Sequence, residues 1–488
     1  MSYPWWYVPG ITAPMLIAFV AIIHVVVSHY AVGGGILLAL ENQYAICKGD
    51  LRYRDYWRKH AKFFILLTVV FGAITGVGIW WTIGLASPLA TEMLIRTFVF
   101  GWAMEWVFFV IELVAAFAFY YYWDRLPLKT HIIIGWIYAF AAWVSLVLIT
   151  GITAFMLNTA GLFGNWSETG NFWHAFFNVQ WLPQTVLRTG ASLVLGCLYV
   201  YTHAAWTLQD DEATRVKTIR RMSYPLVFGF VLVLAGFVGW FTNLPDVSLV
   251  ILERSAALNI FIGIFVATVC AMTLLILLGP MRDPKTLNTG FAVCLLLSGF
   301  ASLGIAEFVR EAIRKPYLVA GEVLGNQIYV RDVQKHQKTG FLENGYWTSL
   351  ALKQRFSELW NDDADDHLDE YELLKYPQQD RLAVGRMLFM HHCNDCHAGH
   401  RGYAAVGPLV YDVSKESLTE TVKHLDERVK SMPPWCGNNA EAELLAEYLT
   451  TLAPGYIDME TILPELPASA DVRPVLMPRK PLQLISEQ

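Results

Sequence analysis

The sequence predicts an all-α membrane protein, a polytopic bundle of about eight transmembrane helices joined to a small α-helical domain. Of its 488 residues, 55% are hydrophobic and only 16% are charged, and the mean hydropathy is +0.39. A soluble chain of this length is rarely so apolar, so much of it must lie in a bilayer. The net charge of −6 is small, and no basic stretch with interleaved aromatic residues suggests nucleic acid as a partner.

Eight apolar runs are long enough to cross the hydrocarbon core of a membrane. They cover approximately residues 11–40, 62–85, 95–122, 131–157, 184–207, 222–244, 256–279 and 288–313. The first run has no basic segment before it and no small-residue cleavage site followed by a soluble domain. We therefore expect a retained membrane helix there, not a removed signal peptide.

Basic residues predict the orientation of the helices. The connection at 158–182 has no Lys or Arg, whereas basic residues crowd the connections after the first and fifth runs: Lys48, Arg52, Arg54, Arg58, Lys59 and Lys62, then Arg215, Lys217, Arg220 and Arg221. By the positive-inside rule, odd-numbered helices end in the cytoplasm. The N-terminus and everything after about residue 314 are then expected on the periplasmic side of a bacterial inner membrane.

The polar part of the chain carries the motif Cys393-Asn394-Asp395-Cys396-His397. In a C-x-x-C-H run, the two thiols add to the vinyl groups of a haem and the histidine becomes an axial ligand of its iron, which predicts one covalent haem c. The alternative is a C-x-x-C that binds zinc or forms a disulfide. The absence of a second cysteine pair at the spacing of a zinc site argues against it. Met432, in Ser431-Met432-Pro433-Pro434-Trp435, is the expected second axial ligand, and its soft sulfur would raise the potential.

Residues 380–455 resemble a class I cytochrome c domain. A helix at Gly385–Phe389 leads into the motif, Gly407-Pro408 fits the loop at the haem edge, and a closing helix is expected at Glu441–Leu449. Three nearby histidines are rival iron ligands, but we expect them to be solvated surface residues: His391, His392 and His400. Bacteria attach haem c outside the cytoplasmic membrane, which agrees with the orientation predicted from the basic residues.

The remaining boundaries follow from composition. Residues 1–313 form the transmembrane domain, 314–379 a polar connector, and 456–488 a proline-rich tail expected to be irregular. The connector holds acidic residues that form either a solvated face or a docking surface for a basic cytochrome: Asp362, Asp363, Asp365, Asp366, Asp369 and Glu370. Four cysteines in or beside apolar runs are expected to be small buried hydrophobes without a disulfide framework: Cys47, Cys197, Cys270 and Cys294.

Ionisable residues inside spanning helices are costly and usually face an interior or a cofactor. His24 and His29 are five positions apart, about 140° around the helix, so we expect one to be a haem ligand and the other a hydrogen-bonded core histidine. Glu105 and Glu112 are seven positions apart, on one helical stripe. They are either an iron ligand and a proton relay or a pair of protonated carboxyls bonded to the backbone.

Two further helices carry charges near their outer ends. Arg188 lies on the fifth helix, where it could snorkel to the surface or pair with a haem propionate. The eighth helix has Glu307, Arg310, Glu311 and Arg314, which form two opposite-charge pairs at helical spacing.

These residues lie in a pattern that resembles subunit I of the cytochrome bd oxygen reductases. The resemblance is diffuse but collinear over about residues 11–325. It rests on His24 followed by Gly33-Gly34-Gly35-Ile36-Leu37-Leu38-Ala39-Leu40-Glu41, on Gly72-Ala73-Ile74-Thr75-Gly76, on Trp123-Asp124-Arg125-Leu126, on Arg314-Lys315-Pro316-Tyr317 and on Gly321-Glu322-Val323-Leu324.

The resemblance implies roles for four of the residues. His24 matches the histidine that binds the high-spin b haem, and Glu112 matches the carboxylate of proton delivery. Glu105 lies within one residue of the family's ligand to the oxygen-binding haem. Glu307 lies one helical turn from the carboxylate beside the paired haems.

The departures from that family concern the quinol side. Arg188 stands where quinol-oxidising members place a histidine for the low-spin b haem. The methionine that would be its partner is missing between Leu258 and Phe265, and Met272 lies deeper in the helix. The long outer loop that helps to bind quinol is reduced to about 245–255.

Together these features predict a bd-like terminal oxidase subunit that takes electrons from a periplasmic c-type cytochrome through haem c and reduces O2 to water. The membrane haems would be of b type, with a d-type haem as an alternative, and a second membrane subunit is the expected partner. Two other hypotheses remain: a membrane electron-transfer anchor without oxygen chemistry, in which His174 or His203 could ligate a further haem, and transfer from quinol to cytochrome c.

Overall fold

A computed structural model of the chain describes residues 3–8, 10–360 and 368–453. The acidic residues Asp362, Asp363, Asp365 and Asp366 and the tail from 456 lie outside the described residues. The chain divides into two compact units. The membrane unit comprises Phe19–Trp80 and Leu94–Arg314, and the motif unit, which contains the C-x-x-C-H motif, comprises Met1–Ala18, Trp81–Met93 and Lys315–Gln488.

Helices dominate the first two thirds of the chain. They are α1 (Ala13–Lys48), α2 (Leu51–Ile65), α3 (Gly72–Ala86), α4 (Pro88–Thr97), α5 (Val99–Tyr121), α6 (Leu128–Phe155), α7 (Trp166–Thr169), α8 (Phe172–Phe176), α9 (Trp181–Thr207), α10 (Glu212–Thr242), α11 (Asp246–Arg254), α12 (Ala256–Leu278) and α13 (Thr289–Ala312). A π-helical segment, Leu66–Phe71, joins α2 to α3, and a 3-10 turn, Pro284–Thr286, precedes α13.

The rest of the described chain holds shorter elements. A two-stranded antiparallel sheet pairs β1 (Tyr317–Val319) with β2 (Val323–Leu324). The helices are α14 (Val333–Thr339), α15 (Phe341–Asn344), α16 (Tyr346–Arg355), α17 (Glu370–Leu373), α18 (Gln378–His392), α19 (Lys415–Lys423), α20 (Leu425–Arg428) and α21 (Asn439–Thr451). Three 3-10 turns, Val330–Asp332, Ser357–Leu359 and Gly407–Leu409, complete this part.

Seven helical segments in the described residues are long and apolar enough to cross a membrane. They are Ala13–Lys48, Leu51–Ala86, Val99–Tyr121, Leu128–Phe155, Glu212–Thr242, Ala256–Leu278 and Thr289–Ala312. The sequence predicts an eighth at 184–207, and this run is indeed helical, in α9. Polar residues such as Gln184 and Arg188 lower its hydropathy, and all residues from Ser192 to Val200 are buried. The all-α polytopic fold is confirmed, with seven clear spans and a more polar, buried α9.

The basic residues after the first span lie on a helix, not in a loop. Helix α2 begins at Leu51, whereas the apolar pattern placed its start near residue 62. Asp50 caps this helix by accepting a hydrogen bond from the Tyr53 N–H at 2.9 Å. Arg221 of α10 donates to the buried carboxylate of Glu41 at 2.8 Å, so charged pairs join the helices at this end.

Glycines allow the backbone of α9 to lie in close contact with the backbones of α1 and α10. A Cβ on Gly190 would lie 2.6 Å from the carbonyl oxygen of Gly229 on α10, and a Cβ on Gly33 of α1 would lie 1.7 Å from that of Ser192. Helices that pack in membranes use small residues in this way, because close backbones gain van der Waals contact. Helix α9 is therefore held against both α1 and α10.

The motif unit has its own hydrophobic core. Helices α18 and α21 cross closely, since a Cβ on Gly385 would lie 2.4 Å from the carbonyl oxygen of Leu444. Phe341 and Leu373, from the stretch expected to be a polar connector, are buried in this core together with Leu388. Apolar residues spaced among the polar ones thus fold residues 314–379, where described, onto the same core as the motif.

We predict that Gly190→Ala destabilises the protein. The new methyl group would meet backbone atoms of α10, which cannot rotate away, so we expect a loss of about 1–3 kcal/mol and a lower melting temperature. Thermal unfolding in detergent, followed by circular dichroism, measures this change. Gly263→Ala on α12 is the control, because a Cβ there meets no atom within 4 Å. Equal melting temperatures for the two variants would contradict the close approach.

Candidate functional site

His24 on α1 is held in one tautomer by Thr75 on α3. Its Nδ1 lies 3.0 Å from the hydroxyl oxygen of Thr75. That hydroxyl donates its own proton to the carbonyl oxygens of Phe71 and Gly72, at 3.0 and 3.1 Å. When the Thr75 proton is given to these carbonyls, Thr75 accepts from His24, so that His24 carries its proton on Nδ1 and has Nε2 free for a metal ion.

The π-helical segment Leu66–Phe71 contributes to this arrangement. It interrupts the regular helix just before Gly72, and such insertions often occur at functional sites. Gly76 follows Thr75 and faces the same imidazole, because a Cβ there would lie 3.2 Å from the Cε1 atom of His24. The stretch Gly72–Gly76 thus supplies both the hydrogen-bond acceptor and the space that His24 requires.

Glu112 on α5 pairs with Tyr138 on α6. The Tyr138 hydroxyl lies 3.1 Å from Glu112 Oε1 and 3.1 Å from the carbonyl oxygen of Ala31 on α1. A phenol has one proton, so both contacts are full hydrogen bonds when Tyr138 donates to Ala31 and a protonated Glu112 donates to Tyr138. This arrangement can therefore accommodate a protonated Glu112 as well as a carboxylate that accepts from Tyr138. Glu105, seven residues before Glu112 on the same face of α5, is half-buried.

His29 is the hydrogen-bonded core histidine of α1. Its side chain is buried and its Nδ1 lies 2.8 Å from the carbonyl oxygen of Val25 on the same helix. The partner of His29 is thus a backbone carbonyl of its own helix, whereas His24 bonds a side chain of another helix. His29 also lies within electrostatic range of Arg188 and Glu307.

Arg188, Glu307 and Arg310 form one charged cluster in the membrane unit. The Arg310 Nε donates to Glu307 Oε2 at 2.8 Å, and an Arg188 Nη lies 3.9 Å from Glu307 Oε1. All three side chains are largely buried, with side-chain exposures of 13%, 14% and 21% for Arg188, Glu307 and Arg310. Glu307 is thus held by two guanidinium groups. Arg314 pairs with Glu311 on the next turn.

The C-x-x-C-H motif follows α18 directly. Cys393 and Cys396 are half-buried thiols without a disulfide. The Nδ1 of His397 lies 2.7 Å from the carbonyl oxygen of Ala404, a residue in the left-handed region with φ of 48°. This bond orients the imidazole and leaves its Nε2 free, as an axial iron ligand requires. The donor set therefore fits a covalent haem c. Met432 is half-buried in the segment before α21.

Two of the three rival histidines are not on the surface. His391 and His392 are 2% and 9% exposed, which corrects the prediction of solvated residues. His391 packs against Trp5 and Phe341, and His392 against Phe341 and Trp435. Burial lowers the pKa of His392 to about 3 and that of His391 well below its usual value, so both are neutral. His400 is half-buried.

The remaining residues that the sequence singled out are His174, Met272 and four cysteines. His174 is in the connection between α6 and α9, where its Nδ1 lies 2.9 Å from the Thr169 hydroxyl. Met272 is buried in the core of the membrane unit. Cys197 is buried as expected, whereas Cys47, Cys270 and Cys294 are exposed in the isolated chain. In the described ranges, no group of three or more His, Cys, Asp or Glu side chains forms a metal site by itself.

The sequence indicated His203 as a possible haem ligand but not the buried group of polar residues around it in the membrane unit. His60 lies on α2, where it is fully buried, and Tyr30 donates to or accepts from its Nε2 at 3.0 Å. His203 on α9 packs against it, with ring centroids 4.7 Å apart. The apolar pattern predicts the start of the second span near residue 62, so His60 lies outside the predicted span. The signal that could have found it is the helical spacing of Tyr56, His60 and Phe64.

Residues of the membrane unit define the class of this protein: a multi-pass helical membrane protein with ionisable side chains paired inside it. The family model described as cytochrome bd terminal oxidase subunit I matches residues 13–245, a little under half of the chain. The chain is therefore similar to subunit I of these oxidases, as the motifs predict. The C-x-x-C-H motif lies outside the matched residues.

A solved structure supports the same fold. The structure of bd oxidase from Geobacillus thermodenitrificans aligns with a TM-score of 0.54 at 16% identity, over 63% of this chain and 88% of that chain. At this identity the likeness shows the fold. No curated protein matches the chain significantly.

A surface cavity of about 670 Å³ in the motif unit is lined by the ends of several helices, among them Thr339, Lys423 and Asn439, and by Glu370. Burial, and then the neighbouring Glu441, raise the pKa of Glu370 to about 8. Glu441 accepts the backbone N–H groups of Phe341, Leu342 and Asn438 at 2.8, 2.6 and 2.9 Å. Burial nevertheless raises the pKa of Glu441 to about 7. Folding therefore favours the protonated form of both carboxyl groups.

We predict that Glu370→Gln stabilises the motif unit at high pH. Because the folded pKa of Glu370 lies above its unfolded value, stability is fully present below the unfolded pKa and falls as pH rises through about 8. Melting curves at about pH 5 and about pH 9 should show a higher melting temperature for the variant only at the higher pH. The control is Glu372→Gln, an exposed residue of the same helix paired with Lys375. A pH-independent difference would contradict the burial of a protonated Glu370.

Proposed function

We propose that the chain is the haem-bearing subunit of a bd-type oxygen reductase that takes electrons through its own haem c and reduces O2 to water. The donor is a periplasmic c-type cytochrome and not a quinol. The family match and the fold support the bd-type class, and the His397 geometry supports haem c.

The observation that carries the choice of donor is the charged cluster of Arg188, Glu307 and Arg310. The resemblance places a histidine ligand of the low-spin b haem at Arg188. A guanidinium stays protonated and has no lone pair for iron, and this one is buried beside a carboxylate. A low-spin haem therefore lacks that ligand, so electrons need another way in. The C-x-x-C-H motif in the same chain supplies it.

The outer connection between α10 and α12 agrees with this proposal. Residues Asp246–Arg254 form the short helix α11, and Ile251 is buried with Leu244, Leu258 and Val309 in a small apolar cluster. A short, folded connection of this kind replaces the long loop that quinol-oxidising relatives are expected to use.

The membrane haems supply the redox chemistry when they are bound, and the protein sets their ligands, charges and access. His24 would offer its Nε2 to a high-spin haem iron, with Thr75 fixing the tautomer. Glu105 is the proposed ligand or neighbour of the oxygen-binding haem. Either b-type haems or a b and d pair would suit these residues.

Glu112 would hold the proton that O2 reduction consumes. Tyr138 keeps its protonated carboxyl hydrogen-bonded inside the bundle, where a charged carboxylate is unfavourable. Four protons are needed for each O2 converted to two water molecules, so Glu112 must be recharged after each transfer.

The assembly proposed around the chain follows from this function. The chain lies in the lipid bilayer of a bacterial inner membrane, with the motif on the periplasmic side, and works with a second membrane subunit of bd type. Large apolar side chains exposed along α5 and α12, such as Trp106, Ile260 and Leu278, provide surface for lipid and for that subunit.

Spectra and oxygen uptake of the purified complex test the proposal. A reduced-minus-oxidised spectrum, repeated with carbon monoxide, should show haem c and a carbon monoxide-reactive high-spin haem. Oxygen uptake should be driven by reduced cytochrome c and not by quinol. Low-spin haems alone, without a carbon monoxide shift or oxygen uptake, would leave the electron-transfer anchor as the function.

We predict that Thr75→Val weakens the high-spin haem site. Valine has nearly the same shape but cannot accept the His24 Nδ1 proton, so the free Nε2 is no longer enforced. Loss of such a supporting bond costs roughly 10–100-fold in affinity or activity. The carbon monoxide difference spectrum per mole of protein and the oxygen uptake rate measure it. Thr273→Val is the control, because that hydroxyl bonds only the carbonyl of Val269 on its own helix. Full haem content in Thr75→Val would argue against His24 as the ligand.

We predict that His397→Ala abolishes oxygen uptake driven by reduced cytochrome c while the carbon monoxide-reactive haem is retained. The iron of haem c would lose its axial imidazole, whereas the membrane unit is untouched. His424→Ala, a half-exposed surface histidine of the same unit, is the control. Met432→Ala should lower the midpoint potential of haem c, since a soft sulfur ligand favours ferrous iron. Normal cytochrome c-driven uptake in His397→Ala would refute electron input through this motif.

A further inference from the structure

A cluster of histidine and tyrosine side chains lies inside the membrane unit, apart from His24 and Glu112. Tyr56 and His60 come from α2, Tyr30 from α1, and Tyr199 and His203 from α9. Tyr30, Tyr56 and His60 are at most 2% exposed, and His203 is half-buried near the end of its helix. Buried ionisable groups in a membrane bundle are costly and therefore indicate function.

Hydrogen bonds connect the members of this cluster in pairs. Tyr30 Oη lies 3.0 Å from His60 Nε2, and Tyr56 Oη lies 3.4 Å from His203 Nδ1. The rings of His60 and His203 meet edge to face, with centroids 4.7 Å apart. Tyr30 also stacks on Tyr199 at 4.0 Å. The two pairs are thus in direct contact through their imidazoles.

One atom of the cluster has no partner. His60 Nδ1 is buried and makes no hydrogen bond in the described residues. A buried imidazole nitrogen left alone is unusual, because nearly all buried polar atoms are paired with protein or water. The His60 ring packs edge to face against that of His203, which is half-exposed. This nitrogen is therefore placed to exchange a proton with water that reaches His203.

One side of the cluster lies near the cytoplasmic end of the bundle, as predicted from the basic residues of α2. Tyr56 and His60 follow Arg52, Arg54 and Arg58 on α2, and His203 lies in the last turn but one of α9. Protons for a periplasmically fed oxidase come from that side. Tyr30 is six residues from His24 on α1, about 9 Å along the helix axis.

Phe64 separates the cluster from the Tyr138–Glu112 pair. Its ring lies 5.2 Å from that of Tyr30 and 5.5 Å from that of Tyr138, centroid to centroid. Gly34 and Gly35 make room for these rings, since a Cβ on Gly34 would lie 2.7 Å from Tyr30 and one on Gly35 would lie 2.1 Å from Tyr138. The two tyrosines therefore flank a single phenylalanine.

We propose that His60 and Tyr30 form a proton relay from the cytoplasmic side that recharges Glu112, with His203 and Tyr56 lining its entrance. A proton taken up at His60 Nδ1 makes the ring a cation. The ring then passes its Nε2 proton to Tyr30 Oη, and Tyr30 releases its own hydroxyl proton towards Tyr138 and Glu112. One proton enters for each that leaves, and no electron moves. The His60 ring is left with its proton on Nδ1 and returns to the Nε2–H tautomer before the next transfer. Phe64 is the gate, because the proton crosses there only when the ring turns or water enters beside it.

The relay rests on the proposed oxygen reduction, and its test uses the complete complex. Fully reduced Tyr30→Phe and His60→Phe complexes are mixed with O2, and proton uptake is followed with a pH indicator dye in H2O and D2O. Because proton transfer by a positioned group contributes roughly 10²–10⁴-fold, we expect uptake to slow by about tenfold or more, with a larger solvent isotope effect. The carbon monoxide spectrum should stay unchanged.

The matched control is Tyr201→Phe. Tyr201 is a fully buried tyrosine on α9 that bonds Ser223 at 3.0 Å and lies outside the relay, so its uptake rate should equal that of the unchanged protein. Unchanged uptake in both Tyr30→Phe and His60→Phe, with a normal wild-type reaction, would overturn the relay alone. A wild-type complex that neither binds carbon monoxide nor consumes O2 would overturn the proposed function, and the relay with it.

Discussion

Three consecutive glycines on α1 determine how the helices of the membrane unit approach one another. A Cβ on Gly33 would enter the backbone of α9, one on Gly34 would meet the rings of Tyr30 and Phe64, and one on Gly35 would enter the ring of Tyr138. Each glycine thus opens α1 to a different neighbour. Without this space, Tyr138 could not reach the carbonyl oxygen of Ala31, and Glu112 would lose its partner.

The second constraint is that polar groups inside the bundle must be satisfied by protein, because lipid offers no hydrogen bonds. Thr75 forms a hydrogen bond with His24, Tyr138 forms one with Glu112, and two arginines form ion pairs with Glu307. The same requirement makes these residues chemically useful. An imidazole with a fixed tautomer can ligate a metal, and a buried carboxyl group can take up and give up a proton.

The proposed function separates electrons and protons along the chain. In this proposal, electrons would arrive at the motif unit, where the His397–Ala404 bond orients the imidazole that would ligate haem c. Protons would arrive through side chains of the membrane unit, from the end where Glu41 and Arg221 pair. The charged cluster around Glu307 is important for this division, because a paired arginine at position 188 leaves no ligand there for a quinol-side haem.

Some of these features could be predicted from the sequence. The apolar runs predicted the polytopic all-α fold, because a membrane span is a local property of about twenty residues. The resemblance predicted the similarity to bd oxidase subunit I, whereas the haem c that the motif spacing indicates stays a prediction. Local patterns erred where polar and apolar residues mix: the start of α2 at Leu51, the polar α9 among the spans, and the folded stretch that contains Phe341 and Leu373.

Only the tertiary structure decided which ionisable residues are partners. Thr75 lies 51 positions from His24, Tyr138 lies 26 from Glu112, and Tyr30 lies 30 from His60. No periodicity within one helix reports on such pairs, because they depend on the rotation and distance of neighbouring helices. The burial of His391 and His392 was hidden for the same reason: their surroundings include Trp5 and Phe341, which are distant in sequence. The sequence by itself determined the spans and the motif, whereas contacts between distant segments decided the chemistry of each side chain.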